Sequence, residues 1–329
     1  MEEPNLSKKQ TSDYFTSYED LEVHQIMLED EPRTDAYRRA ILNNKSYFND
    51  KVVMDVGCGT GILSIFCAQA GAKKVYAVEA SNLAQIAKEI VKDNGFEEVI
   101  EVIQSRVEDL SLPDIKVDAI VSEWMGFYLL HEGMLDSVLA ARDKFLKENG
   151  HIFPETAAIY VSPCRMNHVP PHCSTVDQLF VLLFPGANKA GKYQGLCIWF
   201  ECIFPDLSSV GGGDRIILNT SPRHAPTHWK QTVIVLPDEQ PVECREPIAF
   251  KLDLKRDSEN SRRYNLQMEM LDPNLIDHPQ PCSCDMTKCI LINAFLSQHT
   301  ERALGEDDDV DEEIHHDEKL IFTSDSDSC

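Results

Sequence analysis

Two short stretches carry residues that could do chemistry. In the first, Val53-Met54-Asp55-Val56-Gly57-Cys58-Gly59-Thr60-Gly61, an apolar run enters a glycine loop and then a second apolar run. The spacing is G-x-G-x-G, not the G-x-G-x-x-G of a pyrophosphate loop, and Asp55 stands just ahead of the first glycine. A carboxylate there repels pyrophosphate but accepts hydrogen bonds from an ammonium group. S-adenosylmethionine carries such a group on its methionyl end, so the loop reads as a methyl-donor site. Glu79 follows 24 residues after Asp55, placed to accept the two ribose hydroxyls, and Glu108 is placed to reach the adenine amino group. A plain glycine turn among solvated acids is the weaker alternative, because three features agree in order and spacing.

The second stretch is Ser122-Glu123-Trp124-Met125-Gly126, followed by His131-Glu132-Gly133-Met134. Two carboxylates on one loop, beside a methyl donor, suit a planar cation. A guanidinium offers five donors in a fixed fork and stays protonated, with a pKa above about 12. Each carboxylate can take two N–H groups, leaving one terminal nitrogen for the sulfonium methyl. On the residues alone, a pair of solvated loop acids is an equal alternative, since proximity is not visible in a sequence.

Strand and helix signals place these stretches. Residues 12–45 show helical spacing, with Leu21, His24, Leu28, Tyr37, Ala40 and Ile41 at steps of three and four. Strands are expected at Lys51–Val56, Val75–Val78, Val99–Ile103 and Val117–Val121, and helices at Ile62–Ala70, 83–93 and 133–147. That alternation predicts an α/β, Rossmann-like, doubly wound parallel sheet, with both candidate loops at the carboxyl ends of strands. After Pro154 come short strand candidates at Ile159–Val161, Cys197–Phe204, Arg215–Leu218, Thr232–Leu236, Phe250–Leu254, Tyr264–Met270 and Cys289–Asn293. They predict an antiparallel β-barrel or sandwich. The division is therefore a helical cap over 1–45, a cofactor domain over 46–153, a β-domain over 154–304 and a tail over 305–329. The tail, with eleven acidic residues and one lysine over 306–329, is expected to be disordered.

The chain has 329 residues, 55 acidic against 31 Lys and Arg, for a formal charge of -24. That balance argues against direct nucleic-acid binding and for basic proteins or peptides as partners. No apolar run reaches membrane-spanning length, and the opening residues show no signal pattern, so no membrane role is expected. Eleven scattered cysteines suit reduced thiols in an intracellular protein. His278, Cys282, Cys284 and Cys289 are zinc-ligand types, but their spacing fits no familiar zinc pattern, so ordinary loop thiols and no metal are expected.

The motifs together resemble the protein arginine methyltransferases that make asymmetric dimethylarginine. Tyr14-Phe15-Thr16-Ser17-Tyr18 with His24-Gln25-Ile26-Met27 is similar to the family's N-terminal helix. The glycine loop, Ser122–Gly126, Glu132 and Thr227-His228-Trp229 follow in the family's order, over about residues 12–270. Arg33–Arg38 and Ala119–Gly126 look most like its sixth, predominantly nuclear member. The resemblance implies that Glu123 and Glu132 grip the substrate guanidinium. It implies cofactor contacts at His24, Met27, Arg33, Asp55, Gly57, Gly59, Glu79 and Glu108, with Arg33 holding the donor's carboxylate. Asp30 and His228 match a dyad that closes the site and relays a proton. Tyr14, Tyr18 and Trp229 match walls around the ligands, and Met27 and Met134 the methionines that favour asymmetric product.

The same resemblance implies S-adenosylmethionine as cofactor and histone tails or Arg-Gly-rich proteins as substrates. It also implies a nuclear and cytoplasmic location, and a head-to-tail homodimer made by a helical arm in the β-domain. Only 72 residues lie between Pro154 and Thr227, so a shortened or missing arm is expected and the dimer is left open. A catalytically impaired paralogue that binds basic proteins or active relatives is the alternative from another class; a small-molecule methyltransferase is a weaker third.

Overall fold

The computed structural model describes residues 20–165, 181–183, 190–207, 215–260, 262–278, 282, 284–303 and 320–322. Three helices come first: α1 (Leu21–Glu29), α2 (Glu31–Asn43) and the single turn α3 (Lys45–Phe48). The expected continuous pattern breaks at Asp30, whose backbone leaves the helical region and whose carboxylate caps α2 by accepting from the Arg33 N–H at 3.1 Å. Tyr14 and Tyr18 lie outside the described residues.

Five parallel strands follow: β1 (Val52–Val56), β2 (Lys74–Glu79), β3 (Ile100–Gln104), β4 (Val117–Val121) and β5 (Leu146–Phe153), in the order β3-β2-β1-β4-β5. They alternate with α4 (Ile62–Gln69), α5 (Leu83–Asp93) and α6 (Leu135–Phe145). The central strands β1 and β4 are apolar and almost wholly buried, as a parallel sheet covered on both faces requires. The order reverses between β1 and β4, which opens a crevice at their carboxyl ends, and both candidate loops leave the sheet there.

The helix expected over 133–147 is shorter. Glu132 and Gly133 have φ of +77° and +63°, so no helix can begin before them, and from Leu146 the chain is extended and enters β5.

The β-domain holds β6 (Thr156–Cys164), β7 (Val181–Leu183), β8 (Gly191–Ile203), β9 (Ile217–Asn219), β10 (Thr232–Val242), β11 (Phe250–Arg256) and β12 (Tyr264–Met270). They form two antiparallel sheets, one built on β10-β8-β6 with β9 on β8, the other β12-β11-β7. One continuous core runs from Tyr37, Phe48 and Phe153 through Phe200 and Trp229 to Phe250.

Two expectations are corrected. Cys289–Asn293 is not a strand; it lies in the helix α7 (Thr287–Ala303). The tail read as disordered contributes a strand, β13 (Leu320–Phe322), antiparallel to β6 through Leu320–Ile159 and Phe322–Ala157. The rest of the tail lies outside the described residues, as does most of the segment expected to carry the arm. Among the described residues no helix is long and apolar enough to cross a membrane.

Candidate active site

A cavity of about 270 Å³ opens at the switch point between β1 and β4. Its walls come from α1, the loops after β1, β2, β3 and β4, and the turn before β10. His24, Met27, Arg33, Gly57, Gly59, Glu79, Glu108, Glu123, Glu132, Met134, His228 and Trp229 all line it. Residues read as separate motifs up to 205 positions apart thus meet in one space.

The glycine loop is shaped by its backbone. Gly57 and Gly59 have φ of +73° and +53°, where an L side chain is strained. A Cβ on Gly57 would lie 2.2 Å from Met134 Cε, and one on Gly59 3.3 Å from His24 Cε1. The loop is pinned from below, since the Gly59 N–H donates to Glu79 Oε2 at 2.9 Å. The other Glu79 oxygen accepts from the Ser81 N–H at 2.8 Å and its hydroxyl at 2.7 Å. A carboxylate has about four acceptor positions, so Glu79 retains capacity for a ribose hydroxyl.

Asp55 is placed differently from the expectation of a direct wall contact. It is fully buried beneath the loop and is not part of the cavity lining. Oδ2 accepts from Ser64 Oγ at 2.7 Å, while Oδ1 is buried with no hydrogen-bond partner. Burial pushes its carboxyl up to about 7, against the Ser64 hydrogen bonds. Desolvation of the charged form drives that rise. An orphaned buried acceptor is costly by about 1–3 kcal/mol, so this one fits a site whose ligand brings an ammonium group. Glu108, half-buried, accepts from Ser137 Oγ at 2.6 Å. Burial raises its carboxyl, but that bond and the nearby Arg106 and Arg262 charges outweigh it and hold it low.

The glutamate loop is held to the glycine loop directly. Ser122 Oγ donates to the Val56 carbonyl at 2.7 Å, and Tyr37 OH donates to the Ser122 carbonyl at 2.8 Å. Glu123 is paired within the chain: Arg33 Nε and Nη2 both donate to its Oε2, at 3.0 and 2.9 Å. Arg33 Nη1 donates to the Met27 carbonyl at 3.1 Å. The expectation gave Arg33 a donor carboxylate and Glu123 a foreign guanidinium; here each supplies the other's partner. The pair shows that Glu123 accepts a guanidinium fork in this cavity. Glu132 holds a left-handed conformation, unusual for a side chain of its size, in a turn that includes Tyr128 and Leu129 at positive φ. Gly133 takes the same conformation, which glycine adopts without the strain of a side chain.

The dyad forms across the two domains. Asp30 Oδ2 accepts from both the backbone N–H of His228 at 2.8 Å and its Nδ1 at 2.6 Å. Burial raises the Asp30 carboxyl, but the His228 and Arg33 hydrogen bonds outweigh it and leave it below the ordinary carboxylate range. An ionised Asp30 assigns the His228 proton to Nδ1 and leaves Nε2 as the acceptor. Trp229, buried, donates from Nε1 to the Met125 carbonyl at 2.9 Å and packs edge-on against Phe200 at 5.3 Å. It thereby ties the glutamate loop to the β-domain.

Three contributors escaped sequence reasoning. Arg262 lines the cavity and donates from Nη1 to the Glu132 carbonyl at 3.2 Å, from a turn 130 residues away with no local motif. Ser64 and Ser137 hold Asp55 and Glu108; Ser64 lies on the first turn of the helix after the glycine loop, a spacing that could have marked it, whereas Ser137 reaches Glu108 from 29 residues away, from the helix after the glutamate loop.

The fold and cavity define a methyltransferase domain joined to a β-domain that completes its site. Residues 53–150 match the family description "Methyltransferase domain", and residues 151–271 match "Arginine methyltransferase oligomerization subdomain". The "Probable protein arginine N-methyltransferase 6.1" of Oryza sativa subsp. indica is 36% identical over 330 residues, covering 78% of this chain and 87% of that protein. The Trypanosoma brucei PRMT1 enzyme-prozyme heterotetrameric complex with AdoHcy superposes with a TM-score of 0.69 at 33% identity, covering 80% of this chain and 98% of that one. A crystal structure of PRMT6-SAH superposes with a TM-score of 0.65 at 28% identity, covering 77% and 100%. The chain belongs to the protein arginine N-methyltransferase family.

Proposed function

We propose that this chain transfers methyl groups to arginine side chains of basic proteins, histone tails and Arg-Gly-rich segments among them, and makes mono- and asymmetric dimethylarginine. The observation that carries the reading is the meeting of Glu123, Glu132 and His228, itself held by Asp30, at the cavity of the glycine loop. S-adenosylmethionine, when bound, supplies a methyl group activated on a sulfonium. Gly57, Gly59, Glu79 and Glu108 would hold it.

Glu123 and Glu132 hold the substrate guanidinium and leave one terminal nitrogen for the methyl carbon. As the N–C bond forms, the C–S bond breaks and its electron pair stays on sulfur. Alignment of reacting atoms can supply roughly 7–11 kcal/mol of the barrier. The two carboxylates also offset the repulsion between guanidinium and sulfonium. The methylated nitrogen then releases a proton, which Glu132 or His228 Nε2 accepts, with Asp30 stabilising the imidazolium. For Glu123 to take a substrate, Arg33 must turn to another acceptor, and the donor's carboxylate is suited to that role.

Met27 and Met134 both line the cavity, Met134 against Gly57, and their bulk there supports the asymmetric product. Association with further copies or relatives follows from the oligomerization subdomain match. A nuclear and cytoplasmic location goes with histone-type substrates and is tested by imaging the tagged chain. The alternative, an impaired paralogue that regulates active relatives, draws on the short β-domain segment. Glu123→Gln and Glu132→Gln separate the readings: both abolish methyl transfer while S-adenosylhomocysteine still binds. Wild-type rates in both variants would refute the proposal.

A further inference from the structure

None of the residues His278, Cys282, Cys284 and Cys289 lines the active-site cavity, and the chain gathers them in a cluster of their own. Their ligand atoms all lie within 4.8 Å of one another, and all four residues are buried. We propose that this cluster is a structural zinc site. Cys282 Sγ, Cys284 Sγ and Cys289 Sγ lie 3.4, 3.3 and 3.2 Å from His278 Nδ1, and Cys282 Sγ lies 3.3 Å from Cys284 Sγ. A zinc tetrahedron with bonds of about 2.3 Å to sulfur and about 2.0 Å to nitrogen needs edges of about 3.5–3.8 Å. The four separations above are slightly shorter than those edges, and the remaining two sulfur–sulfur separations are within 4.8 Å. A disulfide needs about 2.05 Å, so the sulfurs are arranged as neighbouring ligands.

The surroundings agree. His278 Nε2 donates to the Pro273 carbonyl at 2.9 Å, which puts the proton on Nε2 and the lone pair of Nδ1 toward the three sulfurs. Such an outer hydrogen bond is what fixes a metal-binding imidazole. Asn293 Nδ2 donates to the Cys282 carbonyl at 2.5 Å, and Lys288 Nζ to the Ile276 carbonyl, so both flanks of the cluster are tied to the start of α7. Three cysteines and one histidine make a closed set with no open position, which suits a structural ion and not a catalytic one.

Ordinary buried thiols are the competing account. Buried thiols usually sit inside a larger apolar core. These three are separate from the main core, and only Met286 packs with them among the described hydrophobic residues. A segment with so little apolar burial gains its order from a crosslink, and a bound ion supplies one. The spacing H-x3-C-x-C-x4-C hid the site: the ligands come from a proline-bearing loop and the first turn of a helix, not from a zinc knuckle. The ion would join the end of the β-domain to α7.

The test uses the full chain, purified without chelators and dialysed. Metal analysis should give one zinc per chain, and the Cys282→Ser/Cys289→Ser double variant should lose it. A Cys244→Ser variant, at an exposed thiol outside the cluster, should keep it. S-adenosylhomocysteine titration of the double variant reports whether the methyltransferase domain is folded. Independently of any variant, cobalt(II) reconstitution of the wild type should show the intense visible bands and sulfur-to-metal charge transfer of a tetrahedral site with three sulfur ligands and one nitrogen. Less than a tenth of a zinc after growth and refilling with zinc would overturn the proposal. So would zinc unchanged in the double variant, iron in its place, or an octahedral cobalt spectrum.

Discussion

Asp55 gives a test whose sign and size follow from its position. Its carboxyl rises from an ordinary value of 3.8 to about 7 because it is fully buried with one oxygen unpartnered. In the unfolded chain it ionises near 4. Between about pH 4 and pH 7 the folded state therefore binds more protons, and stability falls as pH rises. The slope is about 1.4 kcal/mol per pH unit, for a total of roughly 4 kcal/mol that levels off above pH 7. Asp55→Asn removes the titration and keeps an acceptor for Ser64. The urea-unfolding free energies of the two proteins, measured from pH 4.5 to 8.5, should diverge in favour of the variant as pH rises. The readout is the shape of that difference, so a fixed cost of the substitution does not affect it. Saturating S-adenosylhomocysteine, with its ammonium group, should flatten the difference, because it stabilises the ionised carboxylate. Parallel pH profiles without ligand would refute the burial argument, and a difference that S-adenosylhomocysteine leaves unflattened would refute the assignment of Asp55 to the ligand's ammonium group.

Other perturbations follow from the same geometry. Asp30→Ala removes the cap of α2 and two acceptor contacts to His228, which should cost about 2 kcal/mol of stability and lower kcat about 100-fold or more; kcat equal to wild type would remove the dyad from the mechanism. Gly57→Ala meets both a φ of +73° and Met134, and should weaken S-adenosylhomocysteine binding about tenfold by calorimetry, with unchanged affinity the contrary result. Trp229→Phe strands the Met125 carbonyl and should lower kcat more than cofactor affinity, because the loop it holds carries Glu123.

Local signals carried the parallel sheet and the glycine loop. β1, β2 and β4 are short, largely apolar and mostly buried runs, and the turns after them need glycine or acids at fixed offsets. β5 stayed hidden because Lys147, Glu148 and Asn149 are exposed and polar, and the stripe of α6 runs on through Leu146. Cys289–Asn293 looks like a strand because its isoleucines and leucine are consecutive; in the helix Ile290 and Leu291 face solvent. The site's residue types were readable, but their pairing was not. Arg33 and Glu123 are 90 residues apart, and Asp30 and His228 are 198 apart, and only the packing of the N-terminal helices on the cofactor domain and the β-domain brings them together.

The most direct test of the central claim is methyl transfer from labelled S-adenosylmethionine to a histone H3-tail peptide and an Arg-Gly-rich peptide, with products resolved by mass fragmentation. Asymmetric dimethylarginine, made by the wild type and lost in Glu123→Gln, is the predicted result. No methylated arginine from a chain that binds S-adenosylhomocysteine would contradict it, and would make the chain a binding paralogue built on the same cavity.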